Sequence, residues 1–283
     1  SFIDWREQSY PVWAQPADIY MSECLGTNAA YYGVLKVMED MATVLGKKKD
    51  VKKYGQKAEA LKKAINDNFW VEEDGYYASY LYGRQNLTRT QQSETLGESF
   101  CVLFGIADEE RAAKVISSMP VGEFGPPIFS PQIVSQPDYH NNGVWPYVTS
   151  FWGKAAAKVG NETALMHALA CNVRTASIYA TNYENYSFNT GNPYTTQINS
   201  PNMLWGLSGF MGLFHRTFFG LEFTKEGLAL KPFVPTVLAG TRKLEAFPYR
   251  GMKLDITVSG SGNEIASCLV DGKEAEAFIP ADW

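Results

Sequence analysis

The sequence offers little to a metal, a redox couple or a nucleic acid. Its 283 residues include only three histidines and four cysteines. His140, His167 and His215 stand far apart, without metal-ligand spacing. Cys24, Cys101, Cys171 and Cys268 form no CxxC pair, and three of them lie in apolar, helix-like surroundings. They read as structural free thiols, because a buried thiol behaves as a small hydrophobe. Neither a metal nor a cofactor is called for. The net charge of −5 comes from mixed acids and bases, so the basic footprint of a nucleic-acid binder is missing. No apolar run approaches the length of a membrane span. No signal peptide opens the chain; it begins on SFIDWREQ, which reads as the interior of a longer protein.

Aromatic residues are plentiful, with 16 Tyr, 16 Phe and 7 Trp. They can fill a large core or line a cleft. One stretch separates itself from the rest: from Tyr179 to Gly206 the only acidic or basic side chain is Glu184. Around it stand Asn, Ser, Thr, Gly and Tyr. A lone carboxylate among aromatic rings and neutral hydrogen-bonding groups suits a saccharide, whose ring faces stack and whose hydroxyls exchange hydrogen bonds with amides. Such a carboxylate can take a proton from water. The plainer reading is a polar loop between helices with a solvated Glu.

In chain order, residues 1–17 read as irregular, broken by Pro11 and Pro16. Asp4, Trp5, Arg6 and Glu7 crowd two acids, a base and an indole into four positions. They form either an ion pair or a tuned general acid. Residues 22–46 predict a helix whose apolar face is Ala30, Val34, Val37, Met38, Met41 and Leu45, with Gly46 as the stop. Residues 51–70 predict a second helix, with Tyr54, Ala58, Leu61, Ile65 and Phe69 on one face, completing a hairpin. A Tyr-rich ribbon over 72–82 follows. Helices are expected over 93–104, 109–119 (Asp108 as N-cap), 148–159, 161–179 (Asn161 as N-cap) and 202–218. The proline-rich loop 121–143 leads into Tyr139-His140-Asn141-Asn142-Gly143-Val144-Trp145-Pro146 and predicts an ordered cleft wall. The bland reading of His140 is a hydrogen-bonded structural imidazole. Gly206, Gly209 and Gly212 in the last helix would permit close approach of a neighbour. After Gly220 the apolar period becomes two, with strands expected over 264–270 and 274–279 about the turn Asp271-Gly272. Two domains follow: a helical-hairpin domain over 1–218 and an antiparallel β domain over 219–283.

Paired helices, functional loops at alternate junctions and a terminal β-sandwich resemble the (α/α)6 six-hairpin glycosidases. The nearest likeness is to the mannosylglycerate-hydrolase and processing α-glucosidase group, with looser similarity to trehalases and α-rhamnosidases. Three segments carry it. Glu184-Asn185-Tyr186-Ser187-Phe188-Asn189-Thr190-Gly191, followed by Asn202-Met203-Leu204-Trp205-Gly206, looks like that group's E-x-Y/F-x-x-x-T-G and its aromatic helix start. Residues 139–146 are similar to the loop that builds a sugar subsite. Phe2-Ile3-Asp4-Trp5 stands where the group places its acid-bearing loop, although Trp5-Arg6-Glu7 replaces the usual Asn and small residues.

The resemblance implies a mainly α fold, of which about three and a half of six hairpins are present: the C-terminal half of an (α/α)6 toroid, then a small antiparallel β-sandwich. The remaining helices of a parent chain, or another helical half, would be its partner. It implies an inverting glycoside hydrolase without a metal. Glu184 is the base, and Asp4 or Glu7 the acid. Trp5, Tyr139, Trp145, Tyr183 and Trp205 would stack on sugar faces; Arg6, His140, Asn142 and Asn189 would hold hydroxyls. The alternatives are a non-catalytic carbohydrate-binding or scaffold module, or a sugar phosphorylase or epimerase on a similar barrel. The compartment stays open; a saccharide-degrading bacterial protein would be periplasmic or extracellular.

Overall fold

The computed structural model describes residues 10–283; Asp4, Trp5, Arg6 and Glu7 lie outside the described residues. A short helix, α1 (Pro16–Met21), occupies part of what the prolines suggested was irregular chain. Pro16 is its first residue, where a fixed φ fits and a missing N–H costs nothing. The long helices α2 (Leu25–Val44) and α3 (Lys48–Asn68) form the first hairpin. Gly46 closes α2 at φ +66°, a left-handed stop that glycine adopts without a Cβ penalty.

The second hairpin is α4 (Thr95–Leu103) with α5 (Glu109–Ser118), and the third is α6 (Pro146–Lys158) with α7 (Glu162–Tyr179). Both expected caps are made: Asp108 Oδ1 accepts from the Arg111 amide and Asn161 Oδ1 from the Ala164 amide, each at 2.9 Å. The last helix, α8 (Leu204–Leu213), begins two residues later than expected because Asn202 is left-handed, at φ 60°. Its final turn, Phe214–Phe218, widens to a π-helix.

α2 packs on α4, α4 on α6 and α6 on α8, making one row. α3 and α7 pack behind their hairpin partners. The main core lies between, built from Leu25, Ala29, Tyr32 and Leu35 of α2, Ile65 of α3, Val102, Trp152, Leu165 and Leu213. Each large apolar side chain buried there contributes about 1.5–3 kcal/mol relative to leaving it in water. The glycines of α8 do bring helices close: a Cβ at Gly209 would stand 3.3 Å from Ser150 Cβ on α6.

One expectation is overturned. Val34, Val37, Met41 and Leu45, read as the core face of α2, are exposed. The helix is apolar on two sides. The stripe Leu25, Ala29, Tyr32, Leu35 and Ala42 is buried, while Tyr31, Val34, Val37, Met41 and Val44 form a second stripe that is half or more exposed. Periodicity alone reports that a face is apolar, and cannot say which of two apolar faces has a neighbour.

Short strand pairs tie together the heads of the row. Glu23–Cys24, before α2, pairs with Tyr80–Tyr82. The Ser79 amide donates to Gln92 O, and Ala78 bridges Ser93. Ser93–Glu94, before α4, pairs with Phe129–Ser130. The Ile128 amide donates to Gly143 O, and Gly143–Val144, before α6, pairs with Tyr186–Ser187. The N-termini of α2, α4 and α6 therefore share one end of the row with the Glu184 loop.

Beyond Gly220, Leu221–Phe223, Gly227–Leu230 and Phe278–Pro280 make a three-stranded antiparallel sheet. Gly240–Tyr249 and Met252–Gly260 make a long hairpin with a bulge between Leu244 and Phe247. Sheet and hairpin share a second apolar cluster of Phe219, Leu221, Leu228, Tyr249, Ile256 and Ile279. Asp271 and Gly272, at φ 49° and 77°, do make the expected tight turn. The strands it joins are shorter than predicted, at Leu269–Val270 and Lys273–Glu274. Residues 278–280 pair instead with Gly227–Leu230, since Ile279 has the apolar cluster to bury into.

Candidate active site

The site is built where the 139–146 loop meets the Glu184 loop. Asn141 shapes the first: its buried amide accepts from the Ile133 amide at 2.7 Å and donates to Ile133 O and Gln136 O. This side-chain bonding folds the proline-rich segment into an ordered wall. Gly143 then passes against Tyr139, where a Cβ would fall 1.7 Å from Tyr139 O; only glycine fits. Trp145 Nε1 donates to the same carbonyl at 3.1 Å, so the Trp145 indole folds back over the turn.

The second loop is pinned at both ends. The Glu184 amide donates to Ser200 O at 2.9 Å, and the Met203 amide to Asn182 O at 2.8 Å. Asn185 is fully buried, its Nδ2 donating to Ile198 O, while Asn199 Nδ2 returns a bond to Asn185 O at 2.7 Å. Phe188 N donates to Asn142 O and Gln197 N to Asp138 O, both at 2.8 Å. Asp138 joins the loops through its side chain as well, accepting from Ser187 Oγ at 2.7 Å and Asn142 Nδ2 at 2.9 Å.

Glu184 is half-buried, and Tyr139 Oη donates to its Oε1 at 3.2 Å. Tyr139 itself is buried. Its ring is edge-on to Trp145 at 5.1 Å and tilted against His140 at 4.6 Å. Trp145 is buried too, while Trp205, at the head of α8, is 36% exposed. Trp205 lies edge-on to Trp145 at 5.5 Å and stacks on Tyr147 at 5.2 Å and 18°. Tyr183, beside Glu184, is partly exposed; its hydroxyl donates to that of Tyr194 at 3.0 Å. That bond, ahead of burial, pushes the Tyr183 phenol above its ordinary range. Asn189 is exposed.

The structure thus gathers Tyr139, His140, Asn142, Trp145, Tyr183, Glu184 and Trp205 into one region. It also shows what the sequence reading passed over. Asp138, Ser187 and Tyr194 hold the two loops. Tyr147 carries the Trp205 ring. Glu94, the N-cap of α4, and Glu98, one turn further along, are both buried. Glu94 caps α4, its Oε2 accepting from the Gly97 amide at 2.9 Å. Glu98 Oε1 accepts from the Tyr77 amide at 2.8 Å, and its Oε2 has no hydrogen-bond partner among the described residues. Burial pushes the Glu94 carboxyl up to about 7 and Glu98 well above the usual carboxylate range. The i,i+4 spacing of two acids in an otherwise apolar helix was the available signal. Among the described residues no three His, Cys, Asp or Glu side chains converge as metal ligands would, and no helix is long and apolar enough to cross a membrane.

The geometry is thus a half-buried carboxylate held by a phenol and rimmed with indoles and phenols. The family model described as the mannosylglycerate hydrolase MGH1-like glycoside hydrolase domain matches residues 8–205. The chain belongs to that family. Among solved structures, it is similar to one titled "Sialidase", at a TM-score of 0.69 and 17% identity over 90% of this chain and 26% of that one. It is also similar to one titled "Glycosidase Wild Type", at a TM-score of 0.55 and 14% identity over 74% of this chain and 55% of that one. At such identities the likeness shows a shared fold. The chain spans from about a quarter to just over half the length of these structures. No curated protein sequence matches it.

Proposed function

We propose that this chain supplies the base-bearing part of an inverting glycoside hydrolase acting on an oligo- or polysaccharide. The observation that carries the reading is Glu184 itself: one half-buried carboxylate, oriented by Tyr139, among aromatic rings in a glycoside-hydrolase family domain. Ionised Glu184 takes a proton from a water as the water oxygen bonds to the anomeric carbon. The glycosidic C–O bond breaks, and the leaving oxygen takes a proton from a carboxylic acid on the opposite face of the sugar. Asp4 or Glu7 is assigned as that acid. In an inverting site the two carboxyl groups stand about 6.5–9.5 Å apart, which leaves room for the water. Trp205 and Tyr183 offer the more exposed rings for sugar stacking.

The second apolar stripe of α2 supports a helical partner. A helix that is apolar on both sides belongs in the interior of a larger assembly. On this reading the remaining helices of the parent chain cover Val34, Val37 and Met41 and close the ring, with residues 219–283 forming a separate β domain.

The test is Glu184→Gln in the complete enzyme. We expect sugar release to fall by at least about a thousandfold, and the wild-type product to appear first as the anomer opposite to the substrate's, followed by NMR. Sugar release that survives the substitution overturns the reading. Sugar binding without any hydrolysis by the complete wild-type protein would point to a carbohydrate-binding module instead.

A further inference from the structure

We propose that Tyr139 is a positioning residue for Glu184, and that its neighbour Asp138 locks the two loops in the register this contact requires. The inference rests on the reading of Glu184 as the base and goes beyond it, since the likeness to sugar-subsite loops put Tyr139 against the sugar. Tyr139 is 3% exposed, and a ring so covered has little face left for a saccharide. Every part of the residue is fixed. Its amide donates to Asn141 O at 2.9 Å. Its carbonyl accepts from Trp145 Nε1 at 3.1 Å. The ring packs against both His140 and Trp145, which also touch each other. What remains is the phenol, which meets Glu184 Oε1 at 3.2 Å. A donor on one carboxylate oxygen fixes the plane of the group and favours its ionised form. The other oxygen is then aimed in one direction, as a base on a water must be.

Asp138 makes this geometry durable. Within one residue of Tyr139, it grips the Glu184 loop at two points after Glu184: Ser187 Oγ donates to its carboxylate and the Gln197 amide to its backbone carbonyl. It also holds Asn142, whose backbone carbonyl accepts from Phe188 N. Two loops that are 45 residues apart at the Tyr139–Glu184 contact therefore move as one piece.

Tyr139→Phe removes one oxygen and leaves the ring packing. In the complete enzyme we expect kcat to fall about tenfold with KM little changed, and the acid limb of the kcat profile to move to higher pH. Asp138, His140, Tyr183, Tyr186 and Tyr194, the other titratable groups of these loops, are unchanged in that variant. Asp138→Ala should lower kcat in the same way, and Asp138→Asn, which can still accept from Ser187, should recover part of the loss. A Tyr139→Phe enzyme with an unmoved pH limb and an unchanged kcat overturns the proposal. The contact is separately testable without substrate. With 13C-labelled glutamate in this chain, the Glu184 signal is identified by its loss in Glu184→Gln. It should titrate at higher pH in Tyr139→Phe than in the parent sequence, and coincident titrations overturn the proposal. If Glu184→Gln leaves sugar release intact, the base assignment fails while this titration still decides whether Tyr139 positions the carboxylate.

Discussion

The Glu94 carboxylate occupies the gap between the heads of α2 and α4, with its Oε2 3.0 Å from where a Cβ on Gly26 would stand. Two inner helices meet there backbone to backbone, and a carboxyl group fills what space is left. The contact exists because Gly26 and Gly97 both lack side chains.

The first prediction concerns Gly97. A Cβ there would lie 2.3 Å from Glu94 Oε2 and 2.8 Å from the Gly26 amide nitrogen. The side chain can turn aside; the backbone of α2 has to move. Gly97→Ala is expected to destabilise the chain by about 1–3 kcal/mol, despite alanine's better helix propensity. Urea unfolding measures it, and an unchanged or raised midpoint counts against this packing.

Glu94 also makes stability depend on pH. Its folded pKa, about 7, lies above the ordinary carboxylate value of 4.5. The folded state therefore holds a proton that the unfolded chain has already released. The stabilisation is complete below about pH 4.5 and is lost as pH rises through 7, a swing of about 3 kcal/mol. Glu94→Gln keeps an oxygen to cap Gly97 and cannot ionise. Its stability should exceed the parent's at pH 8 and show no such advantage at pH 4. Parallel curves would show that Glu94 ionises in the folded protein as it does in water.

Trp205 is held by stacking on Tyr147 and keeps about a third of its surface open. If it faces a sugar, Trp205→Ala in the complete enzyme should raise KM several-fold, the loss of about 0.5–1.5 kcal/mol of aromatic contact, with kcat less affected. A change confined to kcat would place Trp205 away from the bound saccharide.

The outer stripe of α2 gives the fourth prediction. Val37→Lys with Met41→Glu should leave the melting temperature of this chain nearly unchanged, since both side chains are exposed. On the proposed reading, in which further helices of a parent chain cover this face, the same pair should markedly lower the melting temperature of the complete enzyme. Equal effects in both contexts would mean that this face stays open.

Much of the architecture could be read from residue order. The α3 face at Ala58, Ile65 and Phe69, the caps at Asp108 and Asn161, the stop at Gly46 and the turn at Asp271-Gly272 are all local. Each follows from a side chain acting within a turn or two of itself. The Glu184 loop stood out for the same reason, as a single charge in a neutral aromatic run.

Other features depended on residues far apart in sequence. The open face of α2 looked like core because an apolar stripe carries no mark of its neighbour. The pairing of 278–280 with Gly227–Leu230 depended on which apolar cluster lay within reach. The bond from Tyr139 to Glu184 and the grip of Asp138 on Ser187 arise only when segments 45 and 49 residues apart meet. Sequence therefore determined that there is a carboxylate in a sugar-compatible loop and rows of paired helices to carry it. Tertiary structure decided which phenol aims that carboxylate, because direction is a property of contacts between segments and is written in neither segment alone.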